Sequence, residues 1–258
     1  MKARMMWTLT LAVLAWSGLA AMTPATGQDA LPPAHEIIER YVEAMGGRDA
    51  VLGHTSSRST GTFSMPAAGI TGTLLAKHAV PNLSLVRVEI QGLGTSITGF
   101  DGEVGWSMDP NLGARILEGD ELAALSEGST HLAGVRDASL FQERETVELG
   151  EMDGEACYRV RLLWNSGRET ADCYSVETGL LVGSVARQTT PMGEIDVVTL
   201  FSDYRETDGV LSATRMRQQM LGQEQVMTLD AIEFDVVDPS AFELPEAIRA
   251  LLGGHQQG

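Results

Sequence analysis

Apolar and polar positions change period along this chain, and the changes divide it into elements. Ile37, Ile38, Tyr41, Val42 and Met45 recur at helical spacing on one face, with Glu36, Glu39, Arg40 and Glu43 on the other. Pro33 suits the first turn of this helix, and Gly46-Gly47 supplies a left-handed end. A short helical turn is expected from Arg48 to Leu52. From Ser57 the period shortens to two. Strands are predicted at 57–64, 69–78, 83–91, 95–100 and 104–108, separated by Met65-Pro66, Val80-Pro81-Asn82, Gly92 to Gly94 and Asp101-Gly102. A helical interlude is predicted at 120–126 and again at 135–141. Strands resume at 146–151, 157–164, 169–175, 180–188, 194–204, 210–221 and 225–236. Asp238-Pro239 marks a capped turn, 245–252 reads as helix, and 253–258 as a disordered tail.

The connections are too short for repeated crossover helices, which disfavours a parallel sheet. The pattern predicts a mainly β (α+β) fold. Its centre is one large curved antiparallel sheet or unclosed β-barrel, with helices packed on the concave side. Residues 28–252 form a single domain in this reading. A sheet covered on one face leaves a cavity under the helices, suited to an apolar ligand. Candidate lining residues are Ile38 and Val42 on the first helix, and Val86, Val88 and Ile90 on an early strand. Later strands add Ile195, Val197 and Phe201, then Ile232 and Phe234, the last two sharing a face with Val226 and Val236 by strict alternation.

The first residues follow a different rule. Lys2 and Arg4 form a basic start, an apolar stretch runs from Met5 to Met22, and Ala25-Thr26-Gly27 places small residues before Gln28. That order is a secretory signal peptide over residues 1–27. The expectation is export to the periplasm with cleavage, and no lipidation cysteine lies nearby. The chain carries a net charge of −17; without Lys2 and Arg4, 16 basic residues face 35 acidic ones, a net of −19. Such a surface repels nucleic acid.

Cys157 and Cys173, the two cysteines, flank the turn signal Asn165-Ser166-Gly167. A three-residue turn puts them on one face as diagonal neighbours, so a cross-strand disulfide and two free thiols are both open. Catalytic signals are sparse. The histidines at 35, 54, 78, 131 and 255 are scattered, and His35 with Glu39 lacks the second His of a zinc-protease helix. No nucleophile elbow, phosphate loop or dinucleotide fingerprint occurs. Asp101 with Glu103, and Glu118 with Asp120 and Glu121, lack calcium-loop spacing. The expectation is therefore no enzyme, no metal and no cofactor.

Several short tracts occur in a telling order. The helix ending in Gly46-Gly47 is followed by Gly99-Phe100-Asp101-Gly102-Glu103-Val104-Gly105-Trp106. Thr178-Gly179-Leu180-Leu181, Phe201-Ser202-Asp203-Tyr204-Arg205, Asp208-Gly209-Val210 and Phe242-Glu243-Leu244-Pro245 come later. Over roughly 33–246 this resembles the periplasmic outer-membrane lipoprotein-sorting proteins and their looser relatives with the LolA-like fold. The resemblance implies an open antiparallel barrel with a helical lid over a hydrophobic cavity. It further implies lipoprotein or lipid ligands and membrane-bound transport partners. Carriers of that family use a lid arginine that bonds to backbone, for which Arg58 and Arg87 are the candidates here. The function expected is a non-enzymatic periplasmic carrier or binder of lipoprotein acyl chains or other hydrophobic ligands. The alternative is an envelope protein-interaction or stress-sensing domain on the same fold.

Overall fold

The computed structural model describes residues 30–190 and 193–255. The signal-peptide expectation for 1–27 lies outside them. The compact body begins at Leu31. Thirteen strands form one sheet: β1 (Ser56–Met65), β2 (Ile70–Ala79), β3 (Leu83–Ile90), β4 (Gly94–Phe100), β5 (Gly105–Asp109), β6 (Gly113–Ile116), β7 (Phe141–Met152), β8 (Glu155–Trp164), β9 (Glu169–Ser175), β10 (Leu181–Thr190), β11 (Gly193–Thr207), β12 (Val210–Met220) and β13 (Gln223–Phe234). Their order is β6-β5-β4-β3-β2-β1-β13-β12-β11-β10-β9-β8-β7, and all neighbouring strands run antiparallel. The chain thus lays down one half of the sheet, crosses to the far edge at β7, and works back until β13 closes against β1. The two edges, β6 and β7, do not pair with each other, so the barrel is unclosed.

Helix α1 (Ala34–Ala44) precedes the sheet, α2 (Arg48–Gly53) follows it directly, α3 (Gly119–Ser129) lies between the two halves, and α4 (Glu246–His255) ends the chain. α4 runs past Leu252 into the segment expected as a tail. Gly253 and Gly254 are accommodated in its last turn. The helix expected at 135–141 does not form: one 3-10 turn at 131–133 precedes that stretch, and a second at 138–140 lies within it. Asp137 caps the second by accepting from the Ser139 amide at 3.0 Å, which favours a turn over a continued helix.

α1 buries the apolar stripe expected of it. Ala34, Ile37, Ile38, Tyr41, Val42 and Met45 cluster with Phe141, Val160, Leu162, Trp164, Tyr174 and Leu181 from β7 to β10. Tyr41 meets Tyr174 at 5.2 Å between ring centroids, and Phe141 meets Trp164 at 4.5 Å. The helix stops where Gly46 takes φ +112. A Cβ there would lie 2.0 Å from the Gly209 carbonyl oxygen, so only glycine admits this approach. The Met45 carbonyl then accepts from the Leu211 amide at 2.9 Å, tying the end of α1 to β12.

α3 packs on the same face of the sheet, over its other half. Ser84 of β3 shares a hydrogen bond of 2.7 Å with Ser129 at the end of α3. Gly105 of β5 leaves room for Leu122 and Leu125, since a Cβ there would lie 2.8 Å and 3.3 Å from their methyl carbons. Strand register joins the two halves. Phe201 packs against the α1 cluster and pairs with Met216, Met216 with Met227, Met227 with Phe63, Phe63 with Gly72, and Gly72 with Ile90. Ile90 shares a side of β3 with Ser84, so α1 and α3 cover one continuous face.

Candidate functional site

The helix-bearing face between α1 and α3 carries the apolar residues expected to line a cavity. Register sets them in rows across the strands. Val86 pairs with Ala76, Ala76 with Ser59 and Ser59 with Ile232. The next row runs Val88, Leu74, Gly61, Leu229. The row after it is Ile90, Gly72, Phe63, Met227, Met216 and Phe201. Ile195 and Val197 continue the same face along β11, and Phe234 lies opposite Ser57, which in turn pairs with His78. Val86, Val88, Ile90, Ile195, Phe201, Ile232 and Phe234 remain partly exposed, whereas Val197 is buried. The face therefore carries a strip of large apolar side chains that the helices do not fully cover. Ile38 and Val42 belong elsewhere: both are buried in the core beneath α1.

Alternation along β13 is broken. Thr60 pairs with Ala231 but Gly61 with Leu229, so Asp230 is an extra residue in a bulge. Val226 is thereby shifted to the opposite face from Ile232, and Met227 and Leu229 take the inward places. Strict period-two reading could not find these two. Met216 and Met227 are cross-strand neighbours, and their unbranched thioethers give this part of the strip an adaptable lining.

Arg58 and Arg87 point to the other face of the sheet. Arg58 donates to Glu233 at 2.6 and 2.9 Å, and Arg87 to Glu89 at 3.2 Å. Alternation places them opposite Ser57, Ser59, Val86 and Val88, away from the helices. Other arginines reach backbone near α1, Arg144 among them through the Arg136 carbonyl at 3.5 Å. Arg40, on α1, donates to the Glu177 carbonyl at 2.7 Å. Arg136 donates to the Ala133 carbonyl at 2.5 Å and to Asp172 at 2.7 Å.

Arg136 belongs to a buried polar group beneath α1. The Tyr174 hydroxyl donates to the same Asp172 oxygen at 3.0 Å. Burial, reinforced by Asp172, pushes the Tyr174 hydroxyl well above its ordinary pKa, and burial likewise raises Tyr41. Burial opposes the charge on Arg136, but attraction to Asp172, then to Tyr174 and Tyr41, outweighs it and raises its pKa. Tyr41, Tyr174 and Arg136 thus all keep their protons near neutral pH, which suits a structural clamp better than proton transfer. One signal for it was present in the sequence: Asp172 shares strand parity with Thr170 and Tyr174, an acid on an otherwise inward face.

A pocket of about 340 Å³ lies between α1 and residues 135–138, lined by His35, Glu39, Arg136 and Arg144 beside Ile38 and Val42. Its charged rim makes it a poor home for an acyl chain. On the far face, Cys157 and Cys173 form a disulfide with Cα atoms 5.5 Å apart, packed with Val182 and Met152. No group of three or more His, Cys, Asp or Glu side chains suited to a metal ion occurs among the described residues. Nor does any described helix have the length and apolarity to cross a membrane.

Comparison of the fold with solved structures agrees with this architecture. A DUF1329 family protein of Desulfovibrio piger superposes with a TM-score of 0.57 at 17% identity, over 83% of this chain and 98% of that one. A LolA superfamily protein of Nitrosomonas europaea superposes with a TM-score of 0.55 at 11% identity, over 83% of this chain and 99% of that one. The chain has the LolA-like fold. No family model matches its sequence, and no curated protein matches it significantly. In LolA-like terms, α1 and α3 form the helical cover, and the apolar strip is the surface beneath and between them.

Proposed function

We propose that this chain is a non-enzymatic periplasmic binder or carrier of hydrophobic ligands, among which the acyl chains of lipoproteins are the leading class. The observation that carries the reading is the partly exposed strip of Val86, Val88, Ile90, Phe201, Ile232 and Phe234, with Met216 and Met227, on the helix-bearing face. A folded domain gains by covering such side chains, and an alkyl chain supplies about 0.8 kcal/mol per buried CH₂. The open edge between β6 and β7 lets the sheet flex as a ligand enters, and α1 is the element that would move. The signal-peptide pattern of residues 1–27 supports the compartment, and the Cys157–Cys173 disulfide is compatible with it. Delivery to or from membrane-bound transport partners follows from the carrier role.

The test uses the mature protein purified from a periplasmic fraction. Native mass spectrometry should show co-purified lipid, and a fluorescent fatty acid should bind saturably. Val88→Gln with Ile232→Gln should weaken that binding by about tenfold or more. Absence of both lipid and fatty-acid binding, with a stable protein partner captured instead, would overturn the carrier role and favour an envelope interaction domain.

A further inference from the structure

At one end of the apolar strip a pocket of about 180 Å³ opens where α2, the adjoining ends of β1 and β2, and the C-terminal end of α3 meet. His54, His78 and His131 line it, three of the five histidines in the chain. His78 sits in the row Ser84, His78, Ser57, Phe234, next to the row that begins at Val86. His54 stacks on Phe234 with ring centroids 4.1 Å apart.

Two of the rings have their tautomers set by their neighbours. His54 Nδ1 lies 2.8 Å from Asp235 Oδ2. The Thr55 amide and hydroxyl donate to the other oxygen of Asp235 at 2.7 and 2.8 Å. Those contacts, the His54 bond foremost, hold the Asp235 carboxyl well below the usual range. An ionised carboxylate only accepts, so His54 Nδ1 carries the proton. His131 Nδ1 lies 3.2 Å from the Pro81 carbonyl, which also only accepts. With Nδ1 engaged in this way, the acceptor of each ring in its imidazole form is Nε2.

The surroundings have the same sign. Gly128, Ser129 and Thr130 bring the C-terminal end of α3 to the pocket, and the last turn of that helix has no basic residue to offset its partial negative charge. Among the described residues, no Lys or Arg lines the pocket. The charged groups on the elements around it are engaged elsewhere or acidic. Arg48 of α2 pairs with Asp137, with Asp49 beside it. Glu127 of α3 pairs with Arg168, and Glu233 of β13 with Arg58 on the far face. Lys77 of β2 also faces away, by its parity with Arg58. Asp235 remains, an acid bonded to His54.

We infer that this three-histidine pocket holds the primary ammonium head of an amphiphile whose tail lies along the apolar strip. The head would donate hydrogen bonds to the Nε2 atoms of His54 and His131 near the end of α3. From Ser84 to Ile90, through Val86 and Val88, the inward face of β3 runs about 20 Å at the rise of a strand, enough for an extended long alkyl chain. This inference rests on the lipid-binding reading and adds the chemistry of the head group.

The experiment compares dodecylammonium, dodecanoate and dodecanol, each below its micelle concentration, as competitors for a fluorescent fatty acid on the mature protein. Measurements at about 0.15 M salt and again at about 1 M separate local contacts from the general negative field of the protein. The expected order puts the ammonium about tenfold or more tighter than the carboxylate at both salts. His54→Phe, which keeps the stack on Phe234, and His131→Gln should each shrink that ratio while leaving dodecanol affinity within about twofold. Equal or tighter binding of dodecanoate, or an unchanged ratio in both variants, overturns the inference and leaves lipid binding standing. If none of the three competes, both readings fall.

Discussion

Asp235 and Arg136 show how much single side chains decide here. Asp235 is held below the ordinary carboxylate range, chiefly by His54 and then by Thr55 and Ser56. A lowered pKa means the folded state binds fewer protons than the unfolded one. Its stabilisation is complete above about pH 4 and fades as pH falls further, toward the folded value. Asp235→Asn should therefore destabilise the protein at pH 7 and make progressively less difference below pH 4, read by urea unfolding across that range. Arg136 poses a different case, because its partner Asp172 has a side chain only 2% exposed. Arg136→Met strands that carboxylate and should cost about 3–5 kcal/mol in urea unfolding. The double variant with Asp172→Leu should recover much of the loss, since no buried charge is left unpaired.

At the scale of elements, the disulfide and the strands behave as local chemistry dictates. Cys157 and Cys173 are fully buried, 16 residues apart, and close a hairpin with a three-residue turn. Replacing both by Ala should lower stability by about 3 kcal/mol, measured by denaturant unfolding against the oxidised protein. Most strands were legible because Gly, Pro and Asp-Gly punctuation bounds alternating runs; 169–175 coincides with β9. β6 was not, because Gly113-Ala114-Arg115-Ile116 offers one large apolar side chain and too short a run to show a period. Residues 135–141 carry apolar side chains that mimic helical spacing over fewer turns than a helix needs to hold, and within them only the 3-10 turn at 138–140 forms. The bulge at Asp230 was equally hidden: a bulge is defined by the partner strand, and β1 lies some 170 residues away in sequence.

For the molecule as a whole, an unclosed sheet under two helices predicts coupling between stability and ligand. A ligand that binds only the folded state at a hundred times its Kd should add about 2.7 kcal/mol and raise Tm accordingly. Thermal unfolding with and without saturating fatty acid measures this; no rise would argue against a site on the folded body. Hydrogen exchange should localise the response to α1, whose tether to the sheet includes the Arg40–Glu177 and Met45–Leu211 bonds.

The sequence by itself determined the class of the fold, the first helix and its glycine end, the succession of short-connected strands, and the acidic surface. Each follows from interactions between residues near in the chain, or from composition alone. The apolar residues of β3, β11 and β13 could be singled out from their alternation, but only strand order brought them to one face. Tertiary structure alone decided which arginines meet backbone beside α1, that Asp172 has a buried partner, that Val226 turns outward while Met227 turns in, and that three histidines far apart in the chain share one pocket. These depend on register between distant strands, and a register can be read only when both partners are in place.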